Sequence, residues 1–397
     1  MTASVLVTDA RLRGALAVIR SLGAQGIRVT AADADRLAPG SFSRYCSRRV
    51  LCPRSRERPD DFVRSVFREL EETRHDVIIP AGPRSLFALA TRKRELEKLT
   101  RFPFLDHDRL MVFRDKSRAA DVARDCGLRI PETHTAGSPE DAAKIAGLLG
   151  FPLIVKPCSS SSSEGLTRVD RPKDVRPEWE RLAGQYGALM LQEYIPWGGM
   201  TYDVCVLMNA ESEPRAAFVG KRLRTCPPLA GMNAYGQGVD WPELRDMAIA
   251  LLQSVHWYGP AQVEFRIDPR DGRPVFIEVN PHLWSSMFLA VESGVDFPYL
   301  LYRMAVDGDV EPVNGYRTDV KARWLITEDL LGFVLHPRKR SIIRSWLGSF
   351  FDRSTKMYLL SHRDLLPALV KVIATPWYGL RPGRFRRRLG RHLRQRF

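Results

Sequence analysis

The sequence has little cysteine and no paired cysteine motif. Its six cysteines are scattered over 397 residues, and no two of them form a Cys-x-x-Cys pair. The sequence therefore indicates neither a disulfide framework nor a zinc site, and it favours reduced thiols in a cytoplasmic protein.

Long apolar runs are absent as well. No stretch of ~18 uncharged apolar residues occurs, so no transmembrane helix is expected. The segment from Met1 to Asp9 lacks the basic region and the apolar stretch of a signal peptide. We therefore expect a cytoplasmic protein, with the inner face of the membrane as an alternative because of the C-terminal tail described next.

Acidic residues are scarce near the C-terminus. Residues 338–397 hold sixteen arginines and lysines but only two acids, so they carry +14 of the net charge of +15 and leave +1 for the preceding 337 residues. The charge therefore does not mark the main body as a nucleic-acid-binding protein, because it is concentrated in the tail.

The tail itself has an amphipathic pattern. Phe385, Leu389, Leu393 and Phe397 recur every four residues among arginines, and the segment 365–380 before them is apolar with one lysine. This pattern suits docking on an anionic membrane surface. A helical layer packed on the body with a disordered arginine end is the alternative, and binding to nucleic acid is the least favoured.

The N-terminal region has a strand–helix–strand pattern. Residues 4–8 read as a strand, 12–22 as a helix and 27–32 as a second strand. This order predicts a doubly wound α/β domain. The segment from Asp9 to Gly14 has one glycine where the dinucleotide-binding fingerprint needs three, so nicotinamide binding is disfavoured.

Five consecutive serines, 159–163, allow two interpretations. A serine-rich run is typical of a flexible linker. However, apolar residues 153–155 predict a strand before it, and the alternating segment 166–169 predicts a strand after it. Small residues next to Lys156 would let backbone amides and a lysine contact phosphate, so a phosphate-binding loop is the second interpretation.

A predicted hairpin carries the most specific chemistry. Strands 263–267 and 275–279 are joined by a turn that contains Asp-Gly. Glu278 and Asn280 are two residues apart and share a face, and Glu264 can lie opposite them. Three converging oxygen ligands suit Mg²⁺. The alternative is a solvated strand face on which acids occur by coincidence.

With these motifs in order, residues 4–308 resemble the ATP-grasp superfamily of carboxylate–amine ligases. The resemblance implies an α/β fold with an N-terminal Rossmann-like (pre-ATP-grasp) domain and a two-part α+β ATP-grasp domain; the charge and apolar pattern of the tail add a basic helical C-terminal extension. The expected boundaries are 1–112 for the N-terminal domain, 113–190 for the lid subdomain, 191–310 for the subdomain with the metal site and 311–397 for the tail.

The resemblance also implies a nucleotide site. Lys116, in "FRDKS", matches the lysine that enters the ATP lid, and Lys156, in "LIVKP", matches the lysine that contacts the α- and β-phosphates. The serine run matches the loop that closes over the phosphates. Its candidate phosphate-binding residues are Ser160, Ser161, Ser162 and Ser163.

The segment "LQEYI" matches the hinge that reads adenine. Gln192 stands where an acid often receives the adenine amino group, and the backbone of Glu193 and Ile195 would face the ring. The resemblance makes Glu264, Glu278 and Asn280 the magnesium ligands; Mn²⁺ is an alternative metal.

Two positions depart from the family pattern. His282 stands where an arginine often contacts the transferred phosphate, so either His282 or one of Lys221, Arg222 and Arg224 is expected to take that role. Met200 stands where a ribose-binding carboxylate is expected, and Asp203 is the substitute.

The resemblance implies a function as well. A substrate carboxylate would attack the γ-phosphate of Mg-ATP, and an amine would then displace phosphate from the acylphosphate. Both substrates would be small molecules. The alternatives are an ATP-grasp kinase that does not ligate, and a catalytically inactive nucleotide-binding protein that acts as a membrane-associated assembly factor.

Overall fold

A computed structural model describes residues 3–158, 165–196, 198–228 and 231–379 of the chain. The candidate phosphate contacts Ser160, Ser161, Ser162 and Ser163 lie outside the described residues. The arginine-rich end of the tail, from residue 380 onward, lies outside them too. Predictions for both segments therefore stay predictions.

Fourteen α-helices occur in the described part of the chain. Their bounds are α1 Arg13–Ala24, α2 Pro59–Glu72, α3 Pro83–Ala90, α4 Lys93–Leu96, α5 His107–Arg114, α6 Lys116–Asp125, α7 Pro139–Leu149, α8 Val175–Tyr186, α9 Pro242–Gln253, α10 Met287–Glu292, α11 Phe297–Asp307, α12 Leu330–Leu335, α13 Lys339–Gly348 and α14 Leu366–Gly379. Short 3₁₀ turns span Pro39–Phe42 and Pro172–Asp174, and one π-helical turn spans Leu325–Asp329. Among these described helices, none is both long and apolar enough to cross a membrane.

The first sheet is parallel and confirms the predicted N-terminal α/β unit. Its four strands are β1 Ser4–Thr8, β2 Arg28–Asp33, β3 Cys46–Leu51 and β4 Val77–Pro80. They are ordered β3-β2-β1-β4, so the strand order reverses between β1 and β4. Val5, Leu6 and Val7 are fully buried, which explains why β1 reads as a continuous apolar run.

The second sheet contains the lysine of the predicted phosphate site. Its strands are β5 Thr133–Ala136, β6 Leu153–Pro157, β7 Thr167–Val169 and β8 Leu189–Glu193, all antiparallel in the order β5-β8-β6-β7. The strands predicted on both sides of the serine run are therefore β6 and β7, which pair with each other. A separate small core that includes Leu153, Val155 and Leu191 lies under this sheet.

The third sheet has seven strands and contains the predicted metal site. They are β9 Thr201–Met208, β10 Pro214–Cys226, β11 Met232–Gly238, β12 Gly259–Ile267, β13 Pro274–Asn280, β14 Lys321–Arg323 and β15 Thr355–Met357. Their order is β13-β12-β9-β10-β11-β14-β15. The predicted hairpin is formed by β12 and β13, which pair antiparallel.

Two helical regions are each divided into two helices in the structure. Residues 84–98 form α3 and α4 rather than one helix. Residues 111–126 do not form one helix either, because Asp115 has an extended backbone and caps α6 by accepting hydrogen bonds from the N–H groups of Ser117 and Arg118. This break makes Lys116 the first residue of α6.

The described part of the expected C-terminal extension, residues 311–379, contains strands as well as helices. Strands β14 and β15 extend the third sheet. Asp364 accepts hydrogen bonds from Arg20 at 2.8 Å and Ser43 at 2.8 Å, so the start of α14 is fastened to the N-terminal domain. The described part of this segment therefore belongs to the folded body. The predicted domain boundaries otherwise stay predictions.

Candidate active site

Three carboxylates stand in one row across neighbouring strands of the third sheet. Glu264 on β12 is directly opposite Glu278 on β13 and, on its other side, opposite Asp203 on β9. Cross-strand partners share a face of the sheet, so the three side chains converge. The structure thus confirms that the hairpin places Glu264 opposite Glu278.

Two cations compensate this row. Arg222, on β10, donates to Asp203 at 2.9 and 2.6 Å and to Glu264 at 2.5 Å. Lys116, at the first turn of α6, donates to Glu278. Like charges opposite each other would repel, and one cation for each side of the hairpin offsets that repulsion.

The pKa values of the two glutamates move in opposite directions. Burial raises the pKa of Glu264, and Arg222 only partly opposes that effect. Burial also acts to raise the pKa of Glu278, but Lys116, and beyond it Lys156 and Arg222, outweigh burial and lower it to about 2. Glu278 is therefore ionised at neutral pH, as a metal ligand must be.

Asn280 completes the oxygen set. Its side-chain N–H donates to the side-chain oxygen of Gln262 at 3.2 Å. The side-chain oxygen of Asn280 therefore remains available as an acceptor. Two carboxylates and an amide oxygen are hard donors that suit Mg²⁺, so the residues fit the expected metal. Across the described ranges there is no group of three or more His, Cys, Asp or Glu side chains that could hold a metal; the predicted ligand set is a mixed one that includes the Asn280 amide.

Lys156 lies buried in the second sheet, on β6. Its ammonium donates to the side-chain oxygen of Gln192 at 2.8 Å. The side-chain N–H of Gln192 in turn donates to the hydroxyl of Thr133 at 2.7 Å. Burial, followed by the repulsion of Lys116, lowers the pKa of Lys156 to about 7. A phosphate at this position would favour the protonated lysine, because an opposite charge raises a lysine pKa.

The hinge residues connect the second sheet to the metal-site hairpin. The backbone N–H of Glu193 donates to Glu132, and its carboxylate accepts from Arg270 at 2.6 Å. Ile195 is buried. The adenine-reading roles of Gln192, Glu193 and Ile195 stay predictions. The oxygen of Gln192 is the atom that could accept the adenine amino group, because its N–H already donates to Thr133.

The entry to the serine run is tied to α6. The backbone N–H of Lys116 donates to the carbonyl of Cys158 at 2.9 Å, one residue before the run begins. The lysine expected at the lid is thereby brought close to the loop expected to cover the phosphates, although the two are about 40 residues apart in sequence.

His282 is held in place by its neighbour. Its Nδ1 lies 2.7 Å from the backbone carbonyl oxygen of Leu283, and a carbonyl can only accept, so Nδ1 carries the hydrogen. Burial lowers the pKa of His282, although the Leu283 carbonyl opposes that shift, and the charge of Arg114 lowers it further. Without a ligand the neutral ring is therefore favoured, and the phosphate-contacting role of His282 stays a prediction.

The other candidates for this role have different locations. Arg222 lies among the carboxylates, whereas its neighbour Lys221 lies on the opposite face of β10, because Lys221 pairs with Tyr202 while Gly220 pairs with Asp203. Arg224 donates to Asp329 at 2.7 Å in the C-terminal segment. By the sheet register Lys221 faces away from the carboxylate row and Arg222 lies within it; the catalytic roles expected of Lys221 and Arg222 stay predictions.

Asp203 is placed with the carboxylates as well. Both of its oxygens accept from Arg222, and only 2% of the residue is exposed. A role in ribose binding stays a prediction. In the structure, Asp203 binds Arg222 and thereby positions its guanidinium.

One buried cation near the site was not predicted. Arg13, at the start of α1, reaches the backbone carbonyl of Asn233 at 3.1 Å, 220 residues away in sequence. No local pattern in "DARLRG" distinguishes this arginine from a solvated helix residue, because its partners come from another sheet.

Parts of the chain are similar in sequence to known proteins, and its fold is similar to solved structures. Residues 238–311, which include Glu264, Glu278 and Asn280, match the family model described as carbamoyl-phosphate synthase L chain, ATP binding domain. The carbamoyl phosphate synthase large chain of Mycobacterium sp. (strain JLS) is 23% identical over 288 residues, which cover 68% of this chain and 25% of that protein. The chain thus spans about a quarter of the length of that relative.

Two further proteins are similar. The D-alanine–D-alanine ligase of Methylococcus capsulatus is 28% identical over 206 residues, covering 48% of this chain and 64% of the ligase. The structure of biotin carboxylase from Campylobacter jejuni in a β,γ-ATP complex superposes with a TM-score of 0.69 at 17% identity, over 81% of this chain and 74% of that one. These matches confirm the resemblance to the ATP-grasp superfamily.

Proposed function

Because the chain has the ATP-grasp fold and resembles the carboxylate–amine ligases of that superfamily, we propose that it is a Mg-ATP-dependent ligase. It activates a substrate carboxylate as an acylphosphate, which an amine then attacks. The observation that carries the proposal is the pair of opposed carboxylates, Glu264 and Glu278, each neutralised by its own cation.

Glu264, Glu278 and Asn280 would hold the magnesium ion, with Mn²⁺ as the alternative. A bound divalent cation supplies charge neutralisation at the phosphates. Before it binds, Lys116 keeps Glu278 ionised, so the site is ready to accept a cation without first losing a proton.

The chain's own cations do the remaining electrostatic work. Lys156, released from Gln192, would donate to the phosphates on the second sheet, and Lys116 would move from Glu278 to a phosphate oxygen. Arg222 is oriented by Asp203 and donates from the third sheet. Phosphoryl transfer needs positioning and charge stabilisation rather than a nucleophilic side chain, and these three cations fit that need.

The names of the similar proteins support this class of reaction. They are a carbamoyl phosphate synthase, a D-alanine–D-alanine ligase and a biotin carboxylase in a β,γ-ATP complex. The match to the family model covers the strands that carry the three predicted metal ligands. Intact ligands at these positions argue against the inactive assembly factor.

A screen for phosphate release tests the proposal. The purified chain is mixed with Mg-ATP, a panel of small carboxylic acids and a panel of amino acids and amines, and the products are identified by mass spectrometry. We expect release that requires both a carboxylate and an amine, together with a condensed product. A phosphorylated product without amine would instead identify a kinase, and no ATP turnover with any pair would contradict an enzymatic function.

We also propose a location for the protein in the cell. We place it in the cytoplasm, with the tail in contact with an anionic membrane surface. The described part of the tail supports contact with a surface, because Leu366, Leu369, Val372 and Ile373 on α14 expose between 48% and 68% of their area. The eight arginines after residue 380 would add electrostatic attraction to anionic lipid.

A further inference from the structure

A small cavity lies where the N-terminal domain meets the third sheet. It is bounded by the start of α1, by β11, by the loop after β13 and by the C-terminal segment. Its lining side chains that matter here are Arg13, Asn233, Ser285, Ser286, Trp324 and Tyr358. Packing is close at this junction, since a Cβ on Gly14 would lie 3.1 Å from the carbonyl oxygen of Trp284.

Arg13 brings an uncompensated positive charge into this cavity. Only 9% of the residue is exposed. Its guanidinium donates to the Asn233 carbonyl, contacts the sulfur of Met232 and stacks 4.7 Å above the ring of Trp324. Within the described residues it forms no ion pair with an Asp or Glu. A buried charge without a counter-ion is costly, so the cavity favours an anion.

Four other buried polar atoms at the cavity have no hydrogen-bond partner among the described residues. They are the indole Nε1 of Trp324, the side-chain oxygen of Asn233 and the two terminal nitrogens of Arg323, whose residues are 6%, 8% and 1% exposed. Native structures rarely leave such atoms unpaired, so a missing ligand or water is indicated. An indole N–H can only donate, which again suits an anion.

The size of the cavity limits what it can hold. Its interior leaves about 30 Å³ for solvent, which is room for about two water molecules. A carboxylate group fits this space, whereas a whole substrate does not. Trp324 and Tyr358 form aromatic walls, with ring centres 4.2 Å apart, so the rest of a larger ligand would lie outside the cavity.

The cavity is adjacent to the carboxylate row. Arg222, which binds Glu264, also donates to the carbonyl of Gly231 at 3.4 Å, and Arg13 donates to the carbonyl of Asn233. Residues 231 and 233 are two positions apart, so their Cα atoms are at most about 7 Å apart. The cavity and the carboxylate row are therefore linked through one short backbone segment, over a distance that a small-molecule substrate can span.

We propose that this cavity binds a carboxylate of the substrate other than the reacting group, held by the guanidinium of Arg13 and the indole N–H of Trp324. The inference rests on the proposed ligase function and narrows its substrate class to an amino acid or a dicarboxylate. The reacting group lies at the phosphates beside Glu278, while the second carboxylate anchors the molecule at Arg13.

Calorimetric titration of the full chain tests the anchor directly. The probes are acetate, succinate and L-glutamate, each compared with acetamide or succinamide at constant ionic strength. We expect saturable binding of at least one carboxylate and of neither amide. R13Q should weaken that binding at least tenfold, R13K should weaken it less, and R36Q, at an exposed arginine, should leave it unchanged.

Two further variants test the same anchor independently of R13Q and of catalysis. If R13Q does not fold, W324F removes only the indole donor and should weaken binding of the same probe. E278Q should keep carboxylate binding, because the anchor does not use the metal ligands, so loss of turnover in E278Q does not count against the anchor. Equal affinity of wild type and R13Q, or no carboxylate binding by wild type, would overturn the proposal.

Discussion

Glu264 and Glu278 are directly opposite each other across the β12–β13 hairpin, yet each has a different cation, Arg222 and Lys116 respectively. The two cations come from different parts of the chain, one from the same sheet and one from the first turn of α6. Removal of either cation would leave a buried carboxylate beside a like charge. The charge balance of the site therefore depends on the packing of α6 against the third sheet.

Replacing Glu278 by Gln should abolish ATP turnover and leave the fold intact. The change removes a charged metal ligand but hardly any volume, and a lost ligand at such a site lowers the rate by two orders of magnitude or more. Turnover is measured by phosphate release, and folding by thermal unfolding. E311Q, at an exposed glutamate, is the matched control and should keep full activity. Full activity of E278Q would remove Glu278 from the metal site.

Lys156 should make stability depend on pH in a direction opposite to that of most lysines. Its pKa is lowered from 10.5 to about 7 in the folded chain. As pH falls from 10.5 towards 7, the unfolded chain takes up a proton that the folded chain does not. Wild type should therefore lose stability relative to K156M over this window, by an amount on the order of a few kcal/mol.

Urea unfolding of both proteins between pH 7 and pH 10 measures this difference. The pH dependence is the informative quantity, because the loss of the hydrogen bond to Gln192 shifts K156M equally at every pH. K144M, at an exposed lysine, should follow wild type throughout. Parallel curves for wild type and K156M would show that the ammonium is not buried in the unliganded chain.

Asp329 should matter for stability and not for catalysis. It is 1% exposed and accepts from the half-buried Arg224 at 2.7 Å and the buried Arg323 at 2.6 Å. D329N leaves both guanidiniums without their counter-ion, so we expect a loss of about 3–5 kcal/mol in the free energy of unfolding. D307N breaks an exposed ion pair with Arg303 and should cost less than about 1 kcal/mol.

The same variant tests the role of Arg224. At a temperature where D329N is still folded, phosphate release per molecule should stay close to wild type, because Arg224 contacts the C-terminal segment and not the carboxylate row. A large loss of turnover in folded D329N would indicate that Arg224 acts on phosphate.

The sequence predicts the local parts of this molecule well. The bounds of α7 follow from local signals, because Ser138 caps its first turn and Gly150 ends it with a positive φ of 72°. The β12–β13 hairpin is predicted because Asp-Gly marks its turn and the two glutamates interrupt apolar strands. In both places the signal and the structure lie within a few residues.

Features that depend on distant contacts were not predicted. Strand β14 has three residues and is defined by pairing with β11, more than 80 positions earlier. Arg13 is buried by residues 220 or more positions away. The neutral state of His282 depends on burial and on Arg114, neither of which is visible in "NPHLW". Periodicity reports one element at a time, so it gives no information on which elements meet.

Removing the residues after Leu380 should separate membrane contact from catalysis. The truncation deletes eight arginines and no acid. It keeps Asp364 and the packing of α14 on the body, so turnover on a soluble substrate should be nearly unchanged. Binding to anionic vesicles should weaken strongly, because basic residues near such a surface contribute on the order of 1 kcal/mol each. Sedimentation with vesicles and phosphate release measure the two effects.

The controls distinguish charge from structure. Replacing the eight arginines by lysines keeps the charge and should preserve vesicle binding, and added salt should weaken the binding of the intact chain. If the intact chain does not bind anionic vesicles at low salt, the membrane proposal is wrong. If the truncation instead abolishes turnover, the arginines interact with the folded body of the protein and not with a membrane.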